Sequence, residues 1–146
     1  MTDDALRFDW IAPDKLAGVW GLVRNGLVKV MEHASERWIP EDVYHAIKSG
    51  VSNLHLAMLG HAYQGFIVVT PGQAVDGAVL HVWIAYSTGE NPYDLQAGTV
   101  DQLKAWAKTM GARRITFHSP RKGWEKFGEK HGFEPFTQIF AMEIES

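Results

Sequence analysis

The chain has 146 residues, no cysteine, 46% hydrophobic residues and a formal charge of -3. That length and composition suit one domain with its own core and exclude wholesale disorder. Without cysteine there is no disulfide, thiolate metal site or cysteine nucleophile, and the mild acidity argues against a dedicated nucleic-acid binder.

Leu6, Phe8 and Trp10 alternate with Arg7 and Asp9, which predicts a short half-buried strand. Pro13-Asp14 opens a helix along which Leu16, Trp20, Val23, Leu27 and Val30 form one apolar stripe. Gly18, Gly21 and Gly26 weaken that helix and point to close packing against a neighbour or ligand, or to a break. Pro40-Glu41-Asp42 opens a second helix ended by Gly50. Residues 53–59 and 63–70 read as strands with Gly60-His61 between them, and 71–77 reads as a loop carrying the hairpin signal Asp76-Gly77. The apolar run 78–86 is too continuous for a one-sided strand and should be central. After polar 87–91, Leu95, Val100, Leu103, Ala107 and Met110 trace a helix that stops at Gly111. A strand at 114–117, a short basic helix at 121–130 and an alternating last strand at 136–144 complete the chain. Three consecutive strands make an antiparallel meander, and strand–helix–strand makes a parallel pair. The expected fold class is α/β: one domain over 1–146, with a mixed sheet and flanking helices.

Three stretches carry a resemblance. Leu80-His81-Val82-Trp83-Ile84-Ala85-Tyr86 looks like a central strand, and the run from Leu103-Lys104-Ala105-Trp106 to Arg113-Arg114-Ile115 like a helix end and the next strand. Gly132-Phe133 comes after a short helix. Taken with the element order, these resemble the fourth strand, the central helix with its following strand, and the Gly-Phe pair of the GCN5-related N-acetyltransferase family. The likeness covers about residues 53–144 by pattern and the N-terminal part by order alone. It implies an acyl-CoA N-acyltransferase fold in which the pantetheine arm of acetyl-CoA lies between two splayed parallel strands. The pyrophosphate then sits on the N–H groups at the start of the central helix, and an amine attacks the thioester directly.

Carried onto this chain, the resemblance puts acetyl-CoA on Ile84, Ala85 and Tyr86 and at the start of the helix. The chain departs from the family there. The family's Arg-x-x-Gly-x-Gly window falls on Asn91-Pro92-Tyr93-Asp94-Leu95-Gln96, which lacks the arginine and both glycines and brings the carboxyl of Asp94. A shifted register uses Gln96, Ala97 and Gly98, with one glycine. Weak CoA affinity is therefore expected, with Asp94→Gly strengthening it or leaving it unchanged. Arg121 stands where the family often has Asn at the start of the next helix, and its guanidinium could reach a phosphate. The tyrosine that protonates the departing thiolate in many members is replaced by Gly128, beside Phe127.

The remaining candidates each have a functional and a structural reading. His81 is either a base acting through water or a core histidine. Tyr86 is either a substitute acid for the thiolate or a cap on the core. Trp38 and Tyr44, at the second helix, could wall the acceptor amine; Tyr93 and Trp124 could flank a nucleotide or pack helices on the sheet. Arg113, Arg114, Arg121, Lys122, Lys126 and Lys130 form either an anion patch or a solvated face diluted by Glu125 and Glu129. The seven histidines show no metal-ligand spacing, so no metal is expected.

The leading expectation is acetyl-CoA-dependent acylation of an unidentified small-molecule or protein amine. The alternative is a catalytically degenerate protein of the same fold with a binding or structural role, in the style of small phage-encoded copies. A nucleic-acid-associated module ranks third. No window approaches the ~20 apolar residues of a membrane span, and the acidic Met-Thr-Asp-Asp start is unlike a secretory signal, so a cytoplasmic protein without membrane partners is expected.

Overall fold

The computed structural model describes residues 6–32, 37–89, 92–118 and 128–144, with 92–96 described by their backbone. Alternation at the N-terminus yields β1 (Leu6–Ile11), antiparallel to β2 (Asn53–Leu59). Between them a single 3-10 turn at Pro13–Lys15 leads into α1 (Leu16–Met31), which buries Leu16, Val23 and Leu27 of the expected stripe. α2 (Pro40–Lys48) has proline in its first turn, and the Asp42 carboxylate accepts the Ile39 N–H at 3.0 Å, capping one orphan donor. β3 (Ala62–Ala74), β4 (Gly77–Ser87), α3 (Pro92–Met110) and β5 (Arg114–Phe117) complete the described elements. The sheet order is β1-β2-β3-β4-β5, antiparallel except for the parallel β4–β5 pair, so β4 is interior as expected.

Each face of the sheet has its own core. α1 and α2 cover Leu54, Leu56, Phe66, Val68 and Ile84; α3 covers Ile67, Val69, Leu80 and Val82. Gly26 explains how close α1 comes: a Cβ there would stand 2.6 Å from the Phe66 ring and 2.7 Å from the Tyr86 ring. Gly18 and Gly21 meet nothing within 4 Å, so only the third glycine serves close approach. One residue of β4, Trp83, is left without a β3 partner between Val69↔Val82 and Val68↔Ile84. This β-bulge lets Val82 face α3 while Trp83 and Ile84 both face α1 and α2.

Two expectations need correction. Residues 71–77 are not a loop: β3 runs through Pro71 to Ala74, and only Val75-Asp76 turn. Pro71 lies past the last β2 pairing at Asn53↔Val69, where β3 has one open side and can accommodate a proline. α3 begins at Pro92, upstream of the first apolar position of its stripe. Residues 136–144 form no strand. Pro135 lacks the N–H that a ladder needs as the chain passes β5, and β5 is only four residues long. Of the expected helix at 121–130, residues 128–130 are helical and 121–127 lie outside the described residues.

Candidate functional site

β4 and β5 pair only from Val79↔Arg114 to Val82↔Phe117, yet β4 continues to Ser87. The parallel pair therefore opens at its carboxyl end, and the bulge at Trp83 lies where the opening starts. Beyond it, residues 84–87 pair with β3 alone among the described residues. Thr88 N–H is anchored on the Gln64 carbonyl at 2.9 Å, and the chain then enters α3 at Pro92. A strand edge without its neighbour and a helix N-terminus are thus joined by a short connection.

Several side chains gather on the α1–α2 side of this opening. His81 is half-buried, its Nδ1 lies 2.8 Å from Thr116 Oγ1 directly across the parallel ladder, and its ring centroid is 4.8 Å from that of His118. The Tyr86 ring packs over Gly26 and against Phe66, with centroids 5.5 Å apart. Lys29 Nζ donates to its hydroxyl over a long 3.5 Å. The Tyr63 hydroxyl is buried without a hydrogen-bond partner among the described residues, and burial together with Tyr86 pushes its pKa up to about 12. Trp83 meets Trp38 edge-on at 6.3 Å, so Trp38 is brought to β4, whereas Tyr44 closes on Trp20 at 4.9 Å between α1 and α2. Ile84 is buried on the same side, and Ala85 points to the α3 side.

The proposed phosphate contacts are placed differently from one another. Gln96, Ala97 and Gly98 stand in the second turn of α3, because the helix starts at Pro92. Gly98 is used for packing: a Cβ there would collide with Leu6 of β1. Arg121, Lys122, Trp124 and Lys126 lie outside the described residues, as do the side chains of Tyr93 and Asp94. Arg113 and Arg114 converge on Asp76 at the β3–β4 turn, the end of β4 opposite the opening. The Arg114 hydrogen bond holds the Asp76 carboxyl below the usual carboxylate range. Those two arginines conform to the surface reading rather than the anion-patch reading.

The other face carries a cavity of about 320 Å³ beneath the end of α3, lined by Trp10, Asn53, His55, Leu80, Trp106 and Met110 among others. The His55 ring lies 4.1 Å from that of Trp106, its Nδ1 is buried without a hydrogen-bond partner among the described residues, and burial lowers its pKa to about 4. Sequence reasoning passed over His55, Tyr63, Thr116 and His118. Strand alternation alone marks His55, and the register that joins Thr116 to His81 has no local signal. Among the described residues no group of three or more His, Asp or Glu could hold a metal ion, and no helix is long and apolar enough to cross a membrane.

No protein-family model matches the sequence, and no curated protein is similar to it at a significant level. Solved structures do match. A ribosomal-protein-alanine N-acetyltransferase from Brucella melitensis biovar Abortus 2308 superposes with a TM-score of 0.73 at 14% identity, over 96% of this chain and 99% of that one. A predicted acetyltransferase with acetyl-CoA from Clostridium acetobutylicum gives 0.69 at 10% identity, over 95% and 96%. An aminoglycoside acetyltransferase from an uncultured soil metagenomic sample, in complex with sisomicin, gives 0.69 at 10% identity, over 96% and 97%. The chain has the GCN5-related acetyltransferase fold, as its element order implied.

Proposed function

We propose that this protein is an acyl-CoA-dependent N-acyltransferase acting on a primary amine. The observation that carries the reading is the β4 edge at 83–87, which has lost β5 at the carboxyl end of a parallel pair and leads directly into a helix N-terminus. Carboxyl ends of parallel strands are where open α/β sheets take ligands. Amide groups of an extended arm can bond to the freed backbone around Ile84, Ala85 and Tyr86, and phosphates favour the first-turn N–H groups of a helix.

An acyl-CoA, when bound, supplies an acyl thioester whose C–S bond breaks as the amine nitrogen forms the C–N bond. His81, fixed by Thr116, accepts the ammonium proton through water. Tyr86 donates its hydroxyl proton to the departing sulfur, whose thiol pKa is near ~8.5 like that of free Cys. Lys29 orients the Tyr86 hydroxyl from the α1 side, and Trp38 with Trp83 walls the acceptor. The absent arginine and glycines at 91–96 leave phosphate binding to backbone groups, which predicts weak affinity.

A second reading, a non-catalytic binding protein of this fold, draws on the same absence. Titration with acetyl-CoA followed by thermal shift, then an amine panel, separates the two. We expect a melting shift and turnover that Tyr86→Phe and His81→Ala each lower by ~10²–10⁴-fold, with circular dichroism unchanged. Turnover equal in wild type and both variants would refute the assigned roles, and neither shift nor turnover would leave the binding reading standing.

A further inference from the structure

We infer that the cavity beneath the end of α3 is a second binding site, which takes an uncharged flat heterocycle with a hydrogen-bond donor and acceptor side by side, the chemistry of nicotinamide or a free nucleobase. The site does not depend on the acyltransferase reading. It lies on the α3 face of the sheet, whereas the β4 opening gathers its side chains on the α1–α2 face. Trp106 is about 20 Å along α3 from Pro92, at ~1.5 Å per residue, so a molecule held there stays clear of the helix N-terminus.

Strand register builds the walls. Trp10 stands directly across β1–β2 from His55, and Asn53, two residues before His55, shares its face. Asn53 in turn faces Val69 across β2–β3, and Pro71 faces Leu80 across β3–β4. Trp106 and Met110, one turn apart on α3, complete the lining. The volume of about 320 Å³ is at the small end of ligand pockets, which run ~300–1,000 Å³.

The lining selects the occupant. Among the described residues no charged side chain lines the cavity, and burial holds the His55 pKa at about 4, so its ring is neutral at physiological pH. A charged ligand would lose its hydration there without a counter-charge. Two lining side chains are polar and neither is spent: among the described residues the Asn53 carboxamide and the His55 imidazole make no hydrogen bond. A carboxamide offers N–H donors and a C=O acceptor in one plane, the complement of another amide or of a base edge. A purely apolar occupant would leave that pair unused. Trp10 is 56% exposed, and with Trp106 it gives the site indole surfaces against which flat rings stack.

NMR titration of the nitrogen-15-labelled full chain with nicotinamide, and separately with adenine, tests this. At least one of the two should move the indole N–H signals of Trp10 and Trp106 saturably and leave those of Trp38 and Trp83, at the opening, in place. The tighter probe identifies the source of the donor–acceptor edge. Nicotinate adds a charge, toluene lacks the edge and cyclohexanecarboxamide lacks the flat ring; each should bind at least ~10-fold more weakly. Asn53→Leu should weaken binding at least ~10-fold with circular dichroism unchanged. Because leucine there could fill the cavity, Trp10→Ala, at an exposed position, is measured as well and should weaken binding by a similar factor. Acetyl-CoA should leave the titration unchanged. No saturation by either probe up to ~10 mM overturns the proposal. So does toluene, nicotinate or cyclohexanecarboxamide binding as tightly as the better probe, displacement by acetyl-CoA, shifts at Trp38 and Trp83 instead, or affinity unaltered in either variant.

Discussion

The two faces of the sheet are closed by different means. On the α1–α2 face, Leu16, Val23, Leu27, Val43, Leu54 and Val68 have no exposed surface at all, and a glycine lets the helix descend onto two rings. On the other face, among the described elements, α3 does the covering. It is pinned at Gly98 against Leu6, and at its far end Trp106 lies against His55, beside a cavity and a buried nitrogen without a hydrogen-bond partner among the described residues. The strands are shared, so the contrast lies in the residues the helices present: a missing side chain allows full contact, and an indole prevents it.

Four measurements test or sharpen that contrast. The largest effect is expected from Leu27→Ala, which opens a void in the filled face and should cost ~3 kcal/mol in urea unfolding; Met110→Ala, at the edge of an existing cavity, should cost no more than ~1 kcal/mol. Equal losses would mean the faces are equally packed. Next comes a pair of opposite sign. Gly26→Ala should destabilise by ~1–3 kcal/mol through overpacking, whereas Gly21→Ala, with open space around it, should stabilise by ~0.5–1 kcal/mol.

The third measurement concerns pH. His55 binds its proton less readily in the folded chain, at about 4 against 6.5, so the unfolded chain takes up more protons between those values. Stability should therefore decline as pH falls from about 6.5 to about 4 and then level off. The full shift discounted for partial exposure corresponds to roughly 1–2 kcal/mol. His55→Phe should flatten that part of the profile, and an unchanged slope would show that His55 is not the group responsible. The smallest effect is expected from Asp76→Asn. Its carboxylate pairs with Arg114 at the surface, and this small contribution is present above the usual carboxylate range and disappears in acid. A loss as large as that of Leu27→Ala would make the hairpin end, not the helical face, the seat of stability.

Much of this architecture is legible in the residues. β2 and β5 occupy the expected spans, 53–59 and 114–117, because alternation and flanking glycines bound them. Misreadings arose where non-local pairing decides the outcome. Pro71 signals a loop locally, but β4 supplies partners up to Ala74↔Gly77. Residues 136–144 alternate like a strand, but β5 at the sheet edge is only four residues long and Pro135 brings no N–H to it. At the site, the strand holding His81, Ile84 and Tyr86 was legible from its hydrophobicity. The Thr116 partner of His81 was not, because it depends on the parallel register between strands 35 positions apart in sequence.

The odd residue at Trp83 also governs which changes of length β4 can absorb. Deleting Trp83 would remove the unmatched position and leave Leu80, Val82, Ile84 and Tyr86 on the sides they now occupy. Deleting a residue elsewhere in the strand would force the irregularity to migrate, or turn every side chain between the cut and Trp83 inside out. Insertions meet the same rule in reverse. Natural variation in the length of this strand should therefore gather at one position, and a library of single-codon deletions through 77–87 should yield folded protein chiefly when the lost codon is the one for Trp83.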